Sequence, residues 1–428
     1  MKIVVIGAGL GGLTTAYVLA RQNHTITVLE QHPSLSARGG GMMVRPNASR
    51  FALSWGLGPE FDAIADESPT TLLRNLRTGR LAVRRLATDI SQFPDWGVKR
   101  DDMMKFLYRR AVEAGAKVEF GARVVDFVEG ERGVVILGKN GKSWEADFVV
   151  AADGIRSQVR RRLLEAEGME AEPAMSRSTH YGIEIPVEEL RKEKDAADLL
   201  KEPHLTVHLG KEAYVTSRLH VKQGLWLGLF SIHEDPVPGE ALWNEEGDIV
   251  RLRSLFSAVC PSLRAALGIA ERCDRWKIAE VPDLPHWTSK KGFIIILGDA
   301  AHPMHPTAAQ GFSQTIEDIA VLEHLLRTRH HLSVPSITRY WESIRQPRVE
   351  KIKLYAYANM QLFSGQLNDA VLTSEKEQQE NKSAKSLKGV TASPSAPYQS
   401  AAFLKWVLDY NAVKEAKNGS IDQEKPRL

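Results

Sequence analysis

The first thirty residues, MKIVVIGAGLGGLTTAYVLARQNHTITVLE, constrain the fold more than any other stretch. Residues 3–6 are an apolar run of strand length. Gly7, Gly9 and Gly12 follow at G-x-G-x-x-G spacing, residues 13–21 are helix-compatible, and residues 25–29 form a second apolar strand that ends at Glu30. This order builds a βαβ unit. Gly7 allows a tight turn, Gly9 lets the backbone approach a pyrophosphate, and Gly12 lets the helix pack close to the sheet. The phosphates then sit at the helix N-terminus, where free N–H groups and the dipole favour negative charge. Glu30 can accept hydrogen bonds from an adenosine ribose. An ordinary tight βα turn is the bland alternative. The strand before the glycines, the helix after them and the spacing to the acid favour a dinucleotide site, and leave open which dinucleotide.

The bulk numbers exclude several classes. A chain of 428 residues allows one large enzyme or two to three packed domains. The net charge of +3, with no long basic block, gives no reason to expect nucleic acid or an anionic membrane as a partner. Cys260 and Cys273 lack C-x-x-C spacing, so neither a metal site nor a disulfide framework is expected, and a reducing compartment, the cytoplasm, is the simplest expectation. No apolar run approaches the length of about eighteen residues that a membrane-spanning helix needs. The N-terminal apolar run is broken by glycines, unlike a signal peptide.

Along the chain, residues 31–47 read as a loop containing Gly39-Gly40-Gly41 and Pro46-Asn47, followed by a helix over 49–55. Residues 70–93 read as a hairpin from a different sheet. Residues 99–114 have helical spacing, with Met103, Phe106, Leu107 and Ala111 on one stripe. Strands over 117–120, 123–129, 133–138 and 142–150 suggest a small meander. Residues 148–152 are fully apolar, stop at Asp153-Gly154, and lead into a helix over 155–165. Residues 179–186, 205–209, 214–219 and 225–232 fit a second, antiparallel sheet. A helix over 248–267 precedes a buried strand, 293–297, that ends at Gly298-Asp299. Helices over 312–327, 337–363 and 401–416 complete the chain. Residues 374–397, rich in Lys, Glu, Gln, Ser and Pro, suggest a mobile surface stretch. The expected class is α/β: a Rossmann-type domain from 1–68, 98–168 and 280–350, a mainly antiparallel β-sheet substrate domain from 69–97 and 169–279, and a C-terminal helical segment, 351–428.

Three places share one design, an apolar strand, a turn with glycine or aspartate, then a helix: Gly7 to Gly12, Asp153-Gly154 and Gly298-Asp299. In a doubly wound sheet all three reach the carboxyl edge, where ligands bind. Each aspartate alone also reads as a helix N-cap.

The stretch GDAAHPMHPTAAQGFSQTIEDIAVL from Gly298, AADGIRSQVRR from Ala151, GGGMMVRPNA from Gly39 and VKRDDMMKFL around Arg100 resemble, with the N-terminal fingerprint, the single-component flavoprotein aromatic hydroxylases. That is the para-hydroxybenzoate hydroxylase class, especially its fungal salicylate-hydroxylase-like branch. The resemblance implies FAD, with its adenosine on Gly7, Gly9, Gly12 and Glu30, and contacts from Gly41, Met43 and Arg100. Asp153 and Gly154 would touch flavin and nicotinamide. Asp299 would hold the ribityl chain. Gly311, Phe312 and the loop before them would offer N–H groups to the isoalloxazine. NADPH or NADH would bind transiently, since there is one G-x-G-x-x-G. O2 would add to form a flavin C4a-hydroperoxide that hydroxylates or epoxidises an aromatic or unsaturated small molecule, plausibly in specialised metabolism. A flavin reductase or dehydrogenase, a scaffold without catalysis, and a plain NAD-dependent dehydrogenase are the alternatives.

Two departures from the family pattern fall in the second sheet. Gly182 stands where an arginine often positions a phenolate, and Ser217-Arg218 replace a Tyr-Pro pair. They suggest a pocket that is larger or takes a less anionic ligand. Three residues are candidates for the chemistry. Tyr181 aims its hydroxyl at the substrate or is a half-buried sheet tyrosine. Arg218 replaces the missing charge or lies on a solvated face. His305, just before Pro306, lines the substrate pocket or is a surface-loop histidine. His302 is expected to order its turn.

Overall fold

A computed structural model of the chain describes residues 1–35, 40–68, 70–86, 89–235, 245–365 and 390–418. Gly39 and residues 374–389 of the expected mobile stretch lie outside the described residues.

Five parallel strands make the first sheet, in the order Ile294–Ile296, Phe148–Ala151, Lys2–Ile6, Thr25–Glu30, Lys117–Phe120. The central runs are almost continuously apolar because both faces are covered. The helix Leu10–Ala20 is buried along most of its length, between Arg100–Glu113 and Gly311–Thr328. One expectation is corrected here. Lys117–Phe120 is the edge strand of this sheet, and the meander consists of Val124–Glu129, Val134–Gly138 and Ser143–Ala146 alone. Its alternating pattern fits either setting, and only the partner strand decides.

The second sheet has eight strands, in the order Glu245–Gly247, Cys273–Glu280, Ala174–Pro186, Leu225–His233, Ala213–His220, Leu205–Leu209, Thr70–Asn75, Leu81–Leu86. Pairing is antiparallel except between Leu205–Leu209 and Thr70–Asn75. Successive side chains alternate between faces. Tyr181, Phe230 and Val215 lie in register and pack with Leu252, Phe256 and Leu263 of a helical layer. That layer is two helices, Ile249–Leu255 and Pro261–Ile269, where one was expected. Pro261 has no N–H to extend a preceding helix and starts a new one. His180, Ser231 and Tyr214 lie in register on the opposite face.

A third sheet, Gly41–Val44, Trp96–Lys99 and Ala65–Glu67, straddles the expected division at residues 97/98. Arg218 links it to the eight-stranded sheet. The guanidinium covers Gly97 so closely that a Cβ there would overlap it. Nη1 donates to Met43 Sδ at 3.1 Å and Nη2 to the Asp66 carbonyl.

The helices Gly311–Thr328 and Val334–Phe363 are joined by a buried charge network. Arg345 donates from Nη1 to Glu317 Oε2 at 2.6 Å and from Nε to Asp318 Oδ1 at 2.8 Å. Arg348 Nη2 donates to Glu317 Oε1 at 3.1 Å. Asp318 also meets His302 Nε2 at 2.6 Å, so His302 orders the turn after Gly298 as expected. Burial opposes ionisation of both carboxyls. Arg348 and Arg345 nevertheless hold Glu317 below its ordinary range, and His302 and Arg345 do the same for Asp318. Groups depressed in the folded state stabilise fully above their unfolded pKa and lose that contribution as pH falls through the folded one. Stability to urea should therefore hold down to about pH 4.5 and fall below it. Arg345→Met should cost about 3–5 kcal/mol at neutral pH by taking from two buried carboxylates the cation they share, leaving Glu317 to Arg348 and Asp318 to His302. Equilibrium unfolding across pH checks both.

Candidate functional site

The carboxyl ends of the parallel strands bring the three turn motifs together. Gly7 follows Lys2–Ile6 with φ +98°, and a Cβ there would lie 2.6 Å from the Ala152 carbonyl oxygen. A Cβ on Gly12 would overlap the Gly7 carbonyl. A Cβ on Gly9 would meet nothing within 4 Å. The first two glycines thus serve close packing, and the third leaves open space above the helix N-terminus, where a phosphate is favoured. Glu30 faces this loop. Its Oε2 accepts from the Ala8 N–H at 2.8 Å and its Oε1 from the His32 N–H at 2.8 Å.

The neighbouring turns lock to one another. Arg160, buried, donates from Nη1 to the Ala300 carbonyl at 3.0 Å and from Nη2 to the Ile155 carbonyl, joining the Asp153 and Asp299 loops. Ser157, not Asp153, is the N-cap of the following helix, its Oγ accepting from the Arg160 N–H at 2.9 Å, while Asp153 Oδ2 accepts from the Gln158 and Val159 N–H groups at 2.8 and 3.3 Å. The helix runs over Gln158–Glu165, starting later than the expected 155. Burial pushes this carboxyl up, and its Oδ1 has no partner among the described residues. Asp299 is exposed, with no hydrogen bond among the described residues, and Gly154 and Gly311 border open space. Arg100 is exposed where its helix begins, and its N–H donates to the Gly40 carbonyl at 3.1 Å. Gly41 opens a strand, and Met43 turns its sulfur to Arg218. The Phe312 side chain packs on the main core, which leaves its backbone, not its ring, at the helix N-terminus.

The loop before that helix is held from several sides. Ala309 adopts φ +50°, a left-handed conformation that costs a non-glycine residue about 1–2 kcal/mol. Thr307 Oγ1 donates to the Ala356 carbonyl at 2.6 Å, and Asn359 Nδ2 donates to the Thr307 carbonyl at 3.2 Å. Because the Thr307 hydroxyl proton is spent, Thr307 Oγ1 must accept from His305 Nδ1, 3.1 Å away. His305 Nε2 then accepts from Ser178 Oγ at 3.1 Å. Both ring nitrogens are therefore engaged within the protein. His305 is 6% exposed, which removes the surface-loop alternative, and burial, followed by His233, pushes its pKa down to about 3.

Between this loop and the Gly41–Val44 strand lies the sheet face that carries His180. Its middle row is Gly182, Leu229 and Thr216, adjacent in register and half-exposed among buried neighbours. Trp276 stands at the edge of the row. A Cβ on Gly182 would lie 3.1 Å from its ring, so this aromatic wall occupies the space beside the position where the family often places an arginine.

Two candidates do not join this row. Tyr181 is buried on the opposite face, because its odd register places it under the helical layer. Arg218 is on the correct face but 5% exposed, and spent on Asp66 and Met43. Burial lowers its pKa to about 10 against the opposing pull of Asp95 and Asp66. The sequence reading missed Trp276 as a wall and His180 and Tyr214 as a pair. The register of three strands brings these together, and only alternation within each strand was visible beforehand.

The residues 1–353 match the family model described as FAD binding domain. The chain is 30% identical over 382 residues to FAD-dependent monooxygenase OpS4 of Beauveria bassiana, covering 86% of this chain and 88% of the relative. It is 27% identical to 3-amino-4-hydroxybenzoate 2-monooxygenase PtmB3 of Streptomyces platensis, covering 82% and 85%. A solved salicylate hydroxylase substrate complex superposes with a TM-score of 0.79 at 21% identity, covering 97% of each chain. The open space at Gly9 and Gly311 and the unengaged Asp299 fit an FAD. Glu30→Ala, which removes a charged acceptor of the kind worth about 1.5–3 kcal/mol, should weaken FAD retention about tenfold or more, read from flavin absorbance after dilution. The chain belongs to the FAD binding domain family and is an FAD-dependent monooxygenase.

Proposed function

We propose that the chain hydroxylates or epoxidises an aromatic or unsaturated small molecule with O2, using NADPH or NADH as a transient reductant. The observation that carries this reading is the half-exposed row Gly182–Leu229–Thr216, walled by Trp276 and set between two elements expected to touch FAD. A flat ring fits such a floor, and the relative named for 3-amino-4-hydroxybenzoate supports an aromatic substrate. One glycine fingerprint supports a nicotinamide without a domain of its own.

FAD, when reduced by the nicotinamide and exposed to O2, supplies the electrophilic oxygen. Gly9 and Glu30 would hold the adenosine and its phosphates on the turn that Gly7 and Gly12 make possible, and Asp299 would hold the ribityl chain. Gly41, Met43, Arg100, Asp153, Gly154, Gly311 and Phe312 would border the rest, the last two through backbone N–H groups at a helix N-terminus. The sheet floor and Trp276 orient the ring and exclude water. His305 is a positioning residue: it pins the loop before Gly311 to Ser178 and lines the substrate space with its ring. Two buried free thiols support a reducing compartment such as the cytoplasm. Among the described residues no helix is long and apolar enough to cross a membrane.

The test is a screen of aromatic metabolites for stimulated NAD(P)H oxidation under isotopically labelled O2. Incorporation of one labelled oxygen per nicotinamide oxidised is expected. Nicotinamide oxidation with no labelled product from any stimulating compound would overturn the reading in favour of a reductase. His305→Ala should change substrate profile or rate, and an unchanged pair would remove His305 from the site.

A further inference from the structure

The far face of the eight-stranded sheet carries a cavity of about 400 Å³ that the flavin side does not share. Its floor is Leu72, Arg74, Thr206, His208, Ser217 and Trp226. Register puts these on the side of Tyr181, Phe230 and Val215. Arg74, His208 and Val215 are paired across the strands, as are Leu72, Thr206 and Ser217, and Trp226 keeps the parity of Phe230 on its own strand. The half-exposed row that contains Thr216 looks out the other way, so the thickness of the sheet separates the two spaces. The outer wall is the short helix Lys194–Leu200 with the residues just after it, and Pro261 and Ser262 also line the space. Its volume falls in the range of about 300–1,000 Å³ usual for small-molecule sites.

Arg74 is the cation of the floor. It is half-buried, and its Nη1 donates to the Gly79 carbonyl at 2.9 Å. That is the one hydrogen bond of its side chain among the described residues, so most of the guanidinium fork is free. The carboxylates of the outer wall have nearer partners. Lys201 pairs with Asp198, on which Arg74 acts more weakly, and Glu202 Oε2 meets His204 Nε2 at 2.8 Å. Asp195 and Arg84 are both exposed and offset one another. Burial, then Arg74, pushes the pKa of His208 down to about 3, so this imidazole is neutral and Arg74 is the charge of the floor. Leu72, Leu81, Leu199, Leu219 and Trp226 supply apolar lining. A free guanidinium set among apolar side chains matches a small organic acid. The carboxylate takes the fork, and the hydrocarbon body covers apolar surface. An inorganic anion leaves that surface uncovered, and an uncharged molecule leaves the guanidinium without a counter-ion.

We propose that this cavity is a second binding site, for a small organic carboxylate, with Arg74 gripping the carboxylate and Leu72, Leu199 and Trp226 holding its hydrocarbon body. The site is separate from the aromatic floor and independent of it, since no residue of the Gly182–Leu229–Thr216 row lines it.

Hexanoate is the probe, because it has no ring for the flavin face, and hexanamide, of similar shape without the charge, is its control. Calorimetric titration of the FAD-loaded enzyme should show one hexanoate site, with hexanamide about tenfold weaker or more and the flavin spectrum unchanged. Arg74→Met, which keeps a long side chain without the fork, should weaken hexanoate about tenfold or more, with FAD content and thermal midpoint retained. Arg74→Lys, which restores the charge, should recover part of that loss. Leu199→Trp fills the cavity from the outer wall and leaves the Arg74 bond to Gly79 in place. It should abolish binding, and it decides the matter if the Arg74 variants fold poorly. Absence of hexanoate binding, equal binding of hexanamide, or folded Arg74 and Leu199 variants that bind hexanoate unchanged would overturn the proposal. Hexanoate that shifts the flavin spectrum and still binds to the Arg74→Met enzyme would place the acid on the flavin face and overturn it as well.

Discussion

Glu317, Asp318, Arg345 and Arg348 share charge where water does not reach, and the cofactor edge depends on them. Arg345 holds both acids, Asn47 Nδ2 donates to Glu317 Oε1 at 2.6 Å, and Asn47 and Gln314 both reach Gln310 at the helix N-terminus. Arg348 extends the network to the Trp406 and Val407 carbonyls at 3.2 and 2.9 Å and lies over the Trp406 and Tyr410 rings. One cluster thus fixes the start of the Pro46–Ser54 helix, the turn at His302, the start of the Gly311–Thr328 helix and the Ala401–Leu408 helix. Buried ion pairs seldom add net stability over apolar packing, but they penalise every arrangement that separates them. That penalty keeps several loops in one geometry around a large cofactor.

The substrate side depends on a different constraint, the two-residue period of the strands. Tyr181 and His180 are neighbours in sequence and face opposite layers. A one-residue difference therefore separates a core tyrosine from a histidine beside the open row. Arg218 shows the same rule with a further condition. Its face is the expected one, but the third sheet closes on it, and Gly97 leaves the room for its guanidinium. Arg218 is a strut between two sheets rather than a replacement for the missing family arginine.

The cofactor cradle was legible in the sequence because its demands are local. A turn that needs a positive φ, a helix that must touch a strand, and an acid one strand later are all written within thirty residues. Asp153 showed the limit of such local reading. Its Oδ2 meets two N–H groups of the next helix, yet the N-cap itself is Ser157, four residues further on. The Glu317–Arg345 network was not legible, since its members come from separate helices and read individually as an ordinary polar helix face.

The chain's own order of residues thus determined the α/β class, the parallel sheet that begins with Lys2–Ile6, the FAD cradle and the presence of a second, antiparallel sheet. These follow from periodicity and short-range sterics, which act over one or two elements. Tertiary structure alone decided which side of that second sheet carries the half-exposed row, that Lys117–Phe120 leaves the meander, that Arg218 is spent between two sheets, and that His180 and Tyr214 share a face. Those outcomes depend on register between distant strands and on competition for hydrogen-bond partners, and neither is encoded in any single segment.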